Sequence, residues 1–205
     1  MKMKIKLTLL EEMLGTKPAN PLVFDSFIAT QAPDPKSTRE EIEKAKERRA
    51  ELEFANNREE AGSTVFHSED GKPGIYDYHI KGFFKEACGS LRIADGMKSA
   101  ELKAYKTKID GLIFVQPRFI PISLPPGLSP GSCERPLRGQ TAQGPRVTVV
   151  RSETVPAGST LQFEIVLLAD SLAPLIREWL AYGQLRGLGQ WRNSGKGRFD
   201  VEELP

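Results

Sequence analysis

Cysteine and histidine are scarce in this sequence. Its 205 residues include two cysteines, Cys88 and Cys133, and two histidines, His67 and His79. The cysteines lack the short spacing of zinc sites, and two are too few for a disulfide framework. We therefore expect a protein of the reducing cytoplasm that holds no metal ion and no cofactor.

Long hydrophobic runs are also missing. No apolar segment approaches the roughly 20 residues that span a bilayer, and the N-terminus carries lysines without an apolar h-region. We therefore expect neither a signal peptide nor a membrane partner. The sequence also has no P-loop and no Ser/His/Asp order, so no common hydrolase motif is present.

The charge that is present is unevenly distributed. The whole chain has a net charge of +2, but nine basic and four acidic residues between Arg135 and Arg198 give that segment +5 and leave the rest at −3. A basic segment on a nearly neutral protein is typical of a surface that binds a polyanion. A hydrophobic content of 39% is enough for a buried core.

Hydrophobic periodicity predicts strands and two core helices. Residues 3–9 alternate apolar and polar side chains, which predicts a strand with Lys4 and Lys6 on its outer face. An Asp70-Gly71 turn predicts a hairpin. Spacings of three and four predict one helix beginning near Phe83 and another from Ser171 that ends at Gly183. Further strands are predicted at residues 112–122, 146–152, 160–168 and 198–204.

This order of elements predicts an α+β fold with a ferredoxin-like or RRM-like core, an antiparallel sheet with helices on one face. We expect a single domain over residues 1–205. Ser37 and Glu40 form a capping-box pattern, which predicts a helical insertion at 36–60. Residues 124–145 are rich in Pro, Gly and Ser and have no periodicity, which predicts a long protruding loop.

A glycine-rich stretch near the C-terminus is the most distinctive feature. From Gly187 it reads GLGQWRNSGKGRF, two Gly-x-Gly pairs separated by five residues. Glycine permits positive φ and close approach of a ligand, and loops of this kind present N–H groups that attract anions. Arg186, Arg192, Lys196 and Arg198 add positive charge. The pattern predicts a phosphate-contacting loop or, equally, a plain turn between a helix and a strand. Trp191 can stack on a base or pack under the loop.

These residues resemble the RAMP superfamily of CRISPR proteins. That family carries a C-terminal G-h-G-x5-G-h-G loop, where h is apolar and the five residues include Lys or Arg. Gly187-Leu188-Gly189 matches the first half, Arg192 is the basic residue, and Gly195-Lys196-Gly197 matches the second half except that Lys196 replaces the apolar residue. The resemblance covers residues 146–204. More faintly, the stretch from Ile80 to Lys85, with Leu91-Arg92, resembles the family's helix that opens with a Gly/Ser-rich turn and Lys-Gly, without its Pro-Gly-Ser-Ser portion.

The resemblance implies an RRM-like fold that binds CRISPR RNA through the glycine loop and a basic sheet face. It also implies that residues 124–145 resemble the thumb of the backbone subunits, to which this short chain is more similar than to the processing nuclease. The residues expected to contact RNA are Gly187, Gly189, Gln190, Trp191, Arg192, Asn193, Ser194, Gly195, Lys196, Gly197 and Arg198 in the loop, with Arg186, Arg135, Arg138, Arg146 and Lys81.

Three functions stay open from the sequence. The first is a non-catalytic RNA-binding subunit of a CRISPR effector, whose partners are single-stranded guide-type RNA and other effector subunits or copies of itself. The second is a metal-independent endoribonuclease of the same fold, for which His67 and His79 are the candidate bases. The third is a phage-borne mimic that binds a CRISPR complex and inhibits it.

Overall fold

The computed structural model describes residues 1–19, 63–141 and 144–205, and their side chains except those of 137–141, 145, 146 and 148. The predicted helical insertion at 36–60 lies outside the described residues. Short 3-10 helices cover Lys98–Glu101, Asp170–Leu172 and Arg192–Ser194. The other elements are, in chain order, β1 (Lys2–Leu9), β2 (Met13–Leu14), β3 (Lys17–Pro18), β4 (Thr64–Val65), β5 (His67–Glu69), β6 (Lys72–Tyr76), α1 (Asp77–Leu91), α2 (Tyr105–Leu112), β7 (Ile113–Gln116), β8 (Phe119–Ser123), β9 (Gly131–Thr141), β10 (Gly144–Val155), β11 (Thr160–Leu167), α3 (Ala173–Arg186) and β12 (Phe199–Leu204).

The chain divides into two compact units, and the single domain over residues 1–205 stays a prediction. Unit 1 consists of Met1–Gly15, Phe66–Gly131 and Thr154–Pro205, and unit 2 of Thr16–Val65 and Ser132–Glu153. Unit 1 contains the glycine loop and the predicted ferredoxin-like elements. The site described below therefore lies in unit 1.

The central sheet of unit 1 has the strand order β12-β1-β11, with β7 and β8 both paired to the far side of β11. All these pairings are antiparallel, and Ile5 of β1 lies opposite Phe163 of β11. With α1 between β1 and β7 and α3 between β11 and β12, this is the strand, helix, strand, strand, helix, strand order of a ferredoxin-like fold. The predicted α+β class is confirmed.

Side-chain alternation places the core on one face of this sheet. The residues at odd positions of β1, which are Met3, Ile5, Leu7 and Leu9, are all buried, and Phe163 and Ile165 of β11 are buried beside them. Successive side chains of a strand point to opposite faces, so Lys4 and Lys6 lie on the other face, as predicted. Each fully buried Leu, Ile or Phe side chain contributes about 1.5–3 kcal/mol to folding.

Two amphipathic helices cover the core. From α1, Ile80, Phe83 and Phe84 are buried, and from α3, Ile176 and Trp179. These residues belong to one hydrophobic cluster with the strand residues. The apolar spacing predicted for both helices is confirmed, although α1 begins earlier than predicted, at Asp77. Trp179 Nε1 donates a hydrogen bond to Ser99 Oγ at 2.8 Å, which satisfies its polar atom inside the core.

The predicted Asp-Gly hairpin is present. Strands β5 and β6 pair antiparallel, with Glu69 opposite Lys72. Asp70 and Gly71 between them both have positive φ, 49° and 73°. Two-residue turns with positive φ at both positions match the twist of the flanking strands, which is why Asp-Gly is favoured there.

Two predicted boundaries are wrong. Helix α3 continues past Gly183 to Arg186, and the capping residue is Gly187 with φ 79°. Position 183 requires a glycine inside the helix because the ring of Phe199 occupies the place of a side chain there. The strand predicted over 112–122 is two strands, β7 and β8, separated at Pro117 and Arg118. Proline has no N–H to donate to a strand ladder.

The segment 124–145 is more regular than the sequence predicts. Strand β9 runs through Gly131–Thr141 and pairs with β10. The pairing rests on main-chain hydrogen bonds, which need no apolar periodicity, so the hydrophobic pattern did not reveal it. The protrusion of this segment stays a prediction.

Strand β10 also pairs with β4. Ser152 of β10 lies opposite Thr64 of β4, in parallel, and the Thr64 hydroxyl donates to Ser152 Oγ at 2.8 Å. The Arg151 guanidinium donates to the Glu134 carboxylate, from Nε at 2.9 Å. Exposed ion pairs of this kind stabilise a fold by about 0–1 kcal/mol.

Candidate nucleic-acid interface

The glycine loop (residues 187–198) joins the end of α3 to the start of β12. Its two ends are held together, because the N–H of Leu188 donates to the Gly197 carbonyl at 2.8 Å. The N–H of Gly197 in turn donates to the carbonyl of Glu12, before β2, at 2.8 Å. The loop is therefore closed at its base and attached to the segment after β1.

Three of the four glycines are required by this closure. A Cβ on Gly187 would lie 2.5 Å from the Lys196 carbonyl oxygen, and one on Gly189 would lie 2.7 Å from the Leu14 carbonyl oxygen. At Gly197 a Cβ would meet the Leu188 carbonyl at less than 3.0 Å. Gly195 differs, because a Cβ there would have its nearest neighbour at 3.7 Å. The fold alone thus explains three of the four glycines. The interpretation of the loop as a plain turn predicts the same.

The five residues between the glycine pairs form the outer part of the loop. Arg192–Ser194 is one turn of 3-10 helix, preceded by Trp191 with φ 55° and followed by Gly195 with φ 80°. Trp191 is 39% exposed, whereas Leu188 is 4% exposed and packs into the core. Leu188 therefore provides the packing under the loop, and the indole of Trp191 is accessible at the surface.

Two arginines of the site share one carboxylate. Arg186, at the end of α3, donates from Nε to Glu86 Oε1 at 2.8 Å, and Arg192 donates from Nη1 to Glu86 Oε2. Arg186 Nη1 also donates to Asn193 Oδ1 within the loop. Partial burial raises the pKa of Glu86, but the hydrogen bonds from the two arginines outweigh it, and the pKa is lowered overall.

The other two cations of the loop also have partners. Lys196 Nζ donates to Glu12 Oε1 at 2.5 Å, and Arg198 Nε donates to the Gln184 carbonyl at 2.7 Å. The sequence predicts four positive charges around the loop, and the structure brings two of them, Arg186 and Arg192, onto one carboxylate. It also adds two carboxylates, Glu86 and Glu12, which the sequence did not indicate. The net positive charge of the loop is accordingly smaller than predicted.

The remaining predicted contacts are not all placed with the loop. Lys81 in α1 donates from Nζ to the Asp110 carbonyl at 3.2 Å and lies over the Phe114 ring. Arg135 belongs to unit 2 and is buried in β9, which does not fit the exposed loop side chain that the sequence predicts. Arg138 and Arg146 are in β9 and β10, but their side chains lie outside those that the structure describes.

The open face of the sheet carries mixed charge. Lys2 Nζ lies 2.9 Å from the Glu164 carboxylate and Lys6 Nζ lies 2.9 Å from that of Glu202. Beside them is a shallow groove lined in part by Lys4, Gln116, Arg118 and Gln162. The basic sheet face that the resemblance implies stays a prediction, and on β1 its lysines lie beside carboxylates.

The two histidines lie in an aromatic cluster at the start of α1. The His67 and His79 ring centroids are 5.6 Å apart, and His67 Nε2 is 3.4 Å from the Tyr78 hydroxyl. His79 Nδ1 accepts a hydrogen bond from the Tyr76 N–H at 3.2 Å, which satisfies a donor at the N-terminus of α1. Burial lowers the pKa of His79 below 6.5.

The described ranges contain neither a metal-binding cluster nor a membrane-spanning helix. No group of three or more His, Cys, Asp or Glu side chains there is arranged to hold a metal ion. Among the helices described, none has the length and apolar character needed to cross a membrane.

Comparison with known proteins gives a fold relationship. No protein-family model matches the sequence, and no curated protein matches it. A chain in the cryo-EM structure of the type III-B Cmr-beta complex bound to cognate target RNA superposes with a TM-score of 0.53 at 14% identity, covering 99% of this chain and 61% of that one. A chain of a type IV-B CRISPR complex superposes with a TM-score of 0.49 at 12% identity, covering 100% and 90%.

The chain thus spans about three-fifths of the length of the Cmr-beta chain. At this identity the likeness shows a shared fold. That fold is the α+β architecture predicted from the sequence.

Proposed function

We propose that this protein is an RNA-binding subunit of a CRISPR-type ribonucleoprotein effector, and that the glycine loop contacts the RNA backbone. The observation that carries the proposal is the fold, which nearly the whole chain shares with a chain of a complex bound to target RNA. The match of the glycine loop to the RAMP pattern supports the same assignment independently of the fold. The glycine loop lies in unit 1.

The cations of the loop support contact with phosphate. Arg186, Arg192 and Lys196 each expose about a quarter of the side chain, 29%, 27% and 24%. Charge-assisted hydrogen bonds from arginine to a phosphate are short, directional and often bidentate. Trp191 adds an accessible aromatic ring beside them, and base stacking on such a ring tolerates any sequence. The combination suits single-stranded RNA held mainly by its backbone.

Salt dependence of RNA binding tests this proposal. Each phosphate contact with a single strand releases counterions, so the logarithm of affinity falls with the logarithm of salt concentration by about 0.7 per contact. We expect single-stranded RNA, measured by fluorescence anisotropy, to show a slope of about −2 or steeper, which corresponds to roughly three contacts. An affinity that does not change with salt would reject backbone contact.

We further propose that other effector subunits, or further copies of this chain, are the protein partners, and that segment 124–145 contributes to that assembly. Strand β9 covers residues 131–141 of this segment. Co-expression with candidate effector subunits, followed by size-exclusion chromatography, tests the partnership. Replacing the segment with a short linker should reduce assembly more than it reduces RNA binding by the isolated protein.

An endoribonuclease is the second candidate, and the His67, Tyr78 and His79 cluster favours it. A histidine whose pKa is lowered by burial is neutral at pH 7 and can accept a proton. Against it, His79 Nδ1 already accepts the Tyr76 N–H and His67 is buried. Cleavage of RNA in EDTA that is lost in His67→Ala and Tyr78→Phe would support the nuclease. We expect the RNA to stay intact when it is incubated with the wild-type protein.

A further inference from the structure

The carboxylate of Glu86 lies between two cationic groups that come from different elements. Arg186 is the last residue of α3 and Arg192 belongs to the glycine loop, while Glu86 is in α1. Each carboxylate oxygen accepts from one arginine, Oε1 from Arg186 and Oε2 from Arg192. The geometry is that of an oxyanion held by two guanidinium groups.

Two guanidinium groups around one carboxylate leave the cluster with excess positive charge. A guanidinium has five N–H donors, and Glu86 accepts one from each arginine. A phosphodiester has the same charge as a carboxylate and places its two non-bridging oxygens at a comparable spacing, so the same donors can bind it. The arrangement therefore matches an anion site that the protein has filled with its own side chain.

Solvent reaches this cluster. The side chains of Glu86, Arg186 and Arg192 are 27%, 29% and 27% exposed. The ion pairs are thus accessible to an incoming anion. Partly exposed ion pairs are weak and are screened by salt. Exchange of one anion for another at this position therefore costs little free energy.

We propose that Glu86 occupies the position of an RNA phosphate, which binds between Arg186 and Arg192 after the carboxylate has moved aside. This inference rests on the proposed function. Glu86 then sets the affinity of the glycine loop for RNA, because every bound phosphate must first compete with it. The ligand class is a phosphodiester, and free phosphate shares its chemistry.

Glu86→Gln tests the inference, since it removes the charge and keeps the shape of the side chain. We expect about 3- to 10-fold tighter RNA binding, because the phosphate no longer competes with a carboxylate, and a salt slope at least as steep as that of the wild type. Glu203→Gln is the matched control, because Glu203 pairs with Arg177 at 2.9 Å outside the loop and its loss changes the net charge equally. Thermal unfolding of all three proteins verifies that they are folded.

The outcomes separate the two proposals. If the wild type binds RNA, and Glu86→Gln and Glu203→Gln both bind it more tightly by the same factor, the inference is overturned and the proposed function stands. Weaker RNA binding by Glu86→Gln at unchanged slope would also overturn it, because Glu86 then orients the arginines. An absence of RNA binding by all three proteins would remove the proposed function and the inference together.

Inorganic phosphate distinguishes a free anion from RNA. Thermal unfolding of Glu86→Gln is measured in phosphate and in chloride at matched ionic strength. Stabilisation by phosphate without any gain in RNA affinity would identify a site for a free anion and overturn the assignment to RNA. A gain in RNA affinity together with such stabilisation supports the assignment.

Discussion

The main chain at Gly197 passes so close to Leu188 that a Cβ at position 197 would lie within 3.0 Å of the Leu188 carbonyl oxygen. The Leu188 N–H donates to the Gly197 carbonyl at 2.8 Å, so the two residues hold the ends of the loop together. The loop, which the sequence predicts as a phosphate contact or equally as a plain turn, is thus a structural closure, and a contact with RNA can be tested separately by mutation.

Gly197→Ala should lower the free energy of unfolding by more than the cost of positive φ alone. That cost is about 1–2 kcal/mol for a residue with a Cβ, and the clash with the Leu188 carbonyl adds to it. Gly96→Ala is the matched control, because Gly96 has φ 78° and nothing within 4 Å of a Cβ. Urea denaturation measures both, and equal losses in the two variants would contradict the closure.

Gly183→Ala should destabilise the protein although glycine is a poor helix former. In an exposed helix interior this change is stabilising by about 1 kcal/mol, but here the new methyl group would overlap the Phe199 ring. Phe199→Leu should recover part of the loss in the double variant. A double-mutant cycle on unfolding free energies measures the coupling, and additive effects would count against the contact.

Arg192→Ala combined with Lys196→Ala should lower RNA affinity roughly 10-fold or more, on the scale of about 1–3 kcal/mol for charge-assisted hydrogen bonds. Both side chains form ion pairs near the surface, so the folded core should be retained. Arg177→Ala, which removes an arginine paired with Glu203, is the control and should bind RNA like wild type. If the double variant also binds like wild type, the loop is only a turn.

Stability should decrease as the pH falls below about 6.5, because burial lowers the pKa of His79 in the folded state. The unfolded chain then binds a proton more readily than the folded one, so the contribution of His79 is complete above its unfolded pKa and is lost as pH falls towards its folded pKa. His79→Gln should reduce this slope. Urea midpoints measured across that range for both proteins provide the test, and parallel pH profiles would show that other groups cause the loss.

Local patterns in the sequence were sufficient for the architecture. Three patterns each predict an element that is present: the alternation in residues 3–9, the helical spacing before and after Trp179, and the Asp70-Gly71 turn. These signals are reliable because burial of one face imposes its period on the sequence within a few residues. The glycine pattern likewise identified a loop with positive φ at all four glycines.

Only the tertiary structure decided what surrounds that loop. Glu86 and Arg186 are 100 residues apart in the chain, and Glu12 and Lys196 are 184 apart, so no local pattern connects them. The same holds for Gly183, which looks like a helix end until Phe199 is packed against it. Charge and steric complementarity depend on distances in space, which local patterns in the sequence do not specify.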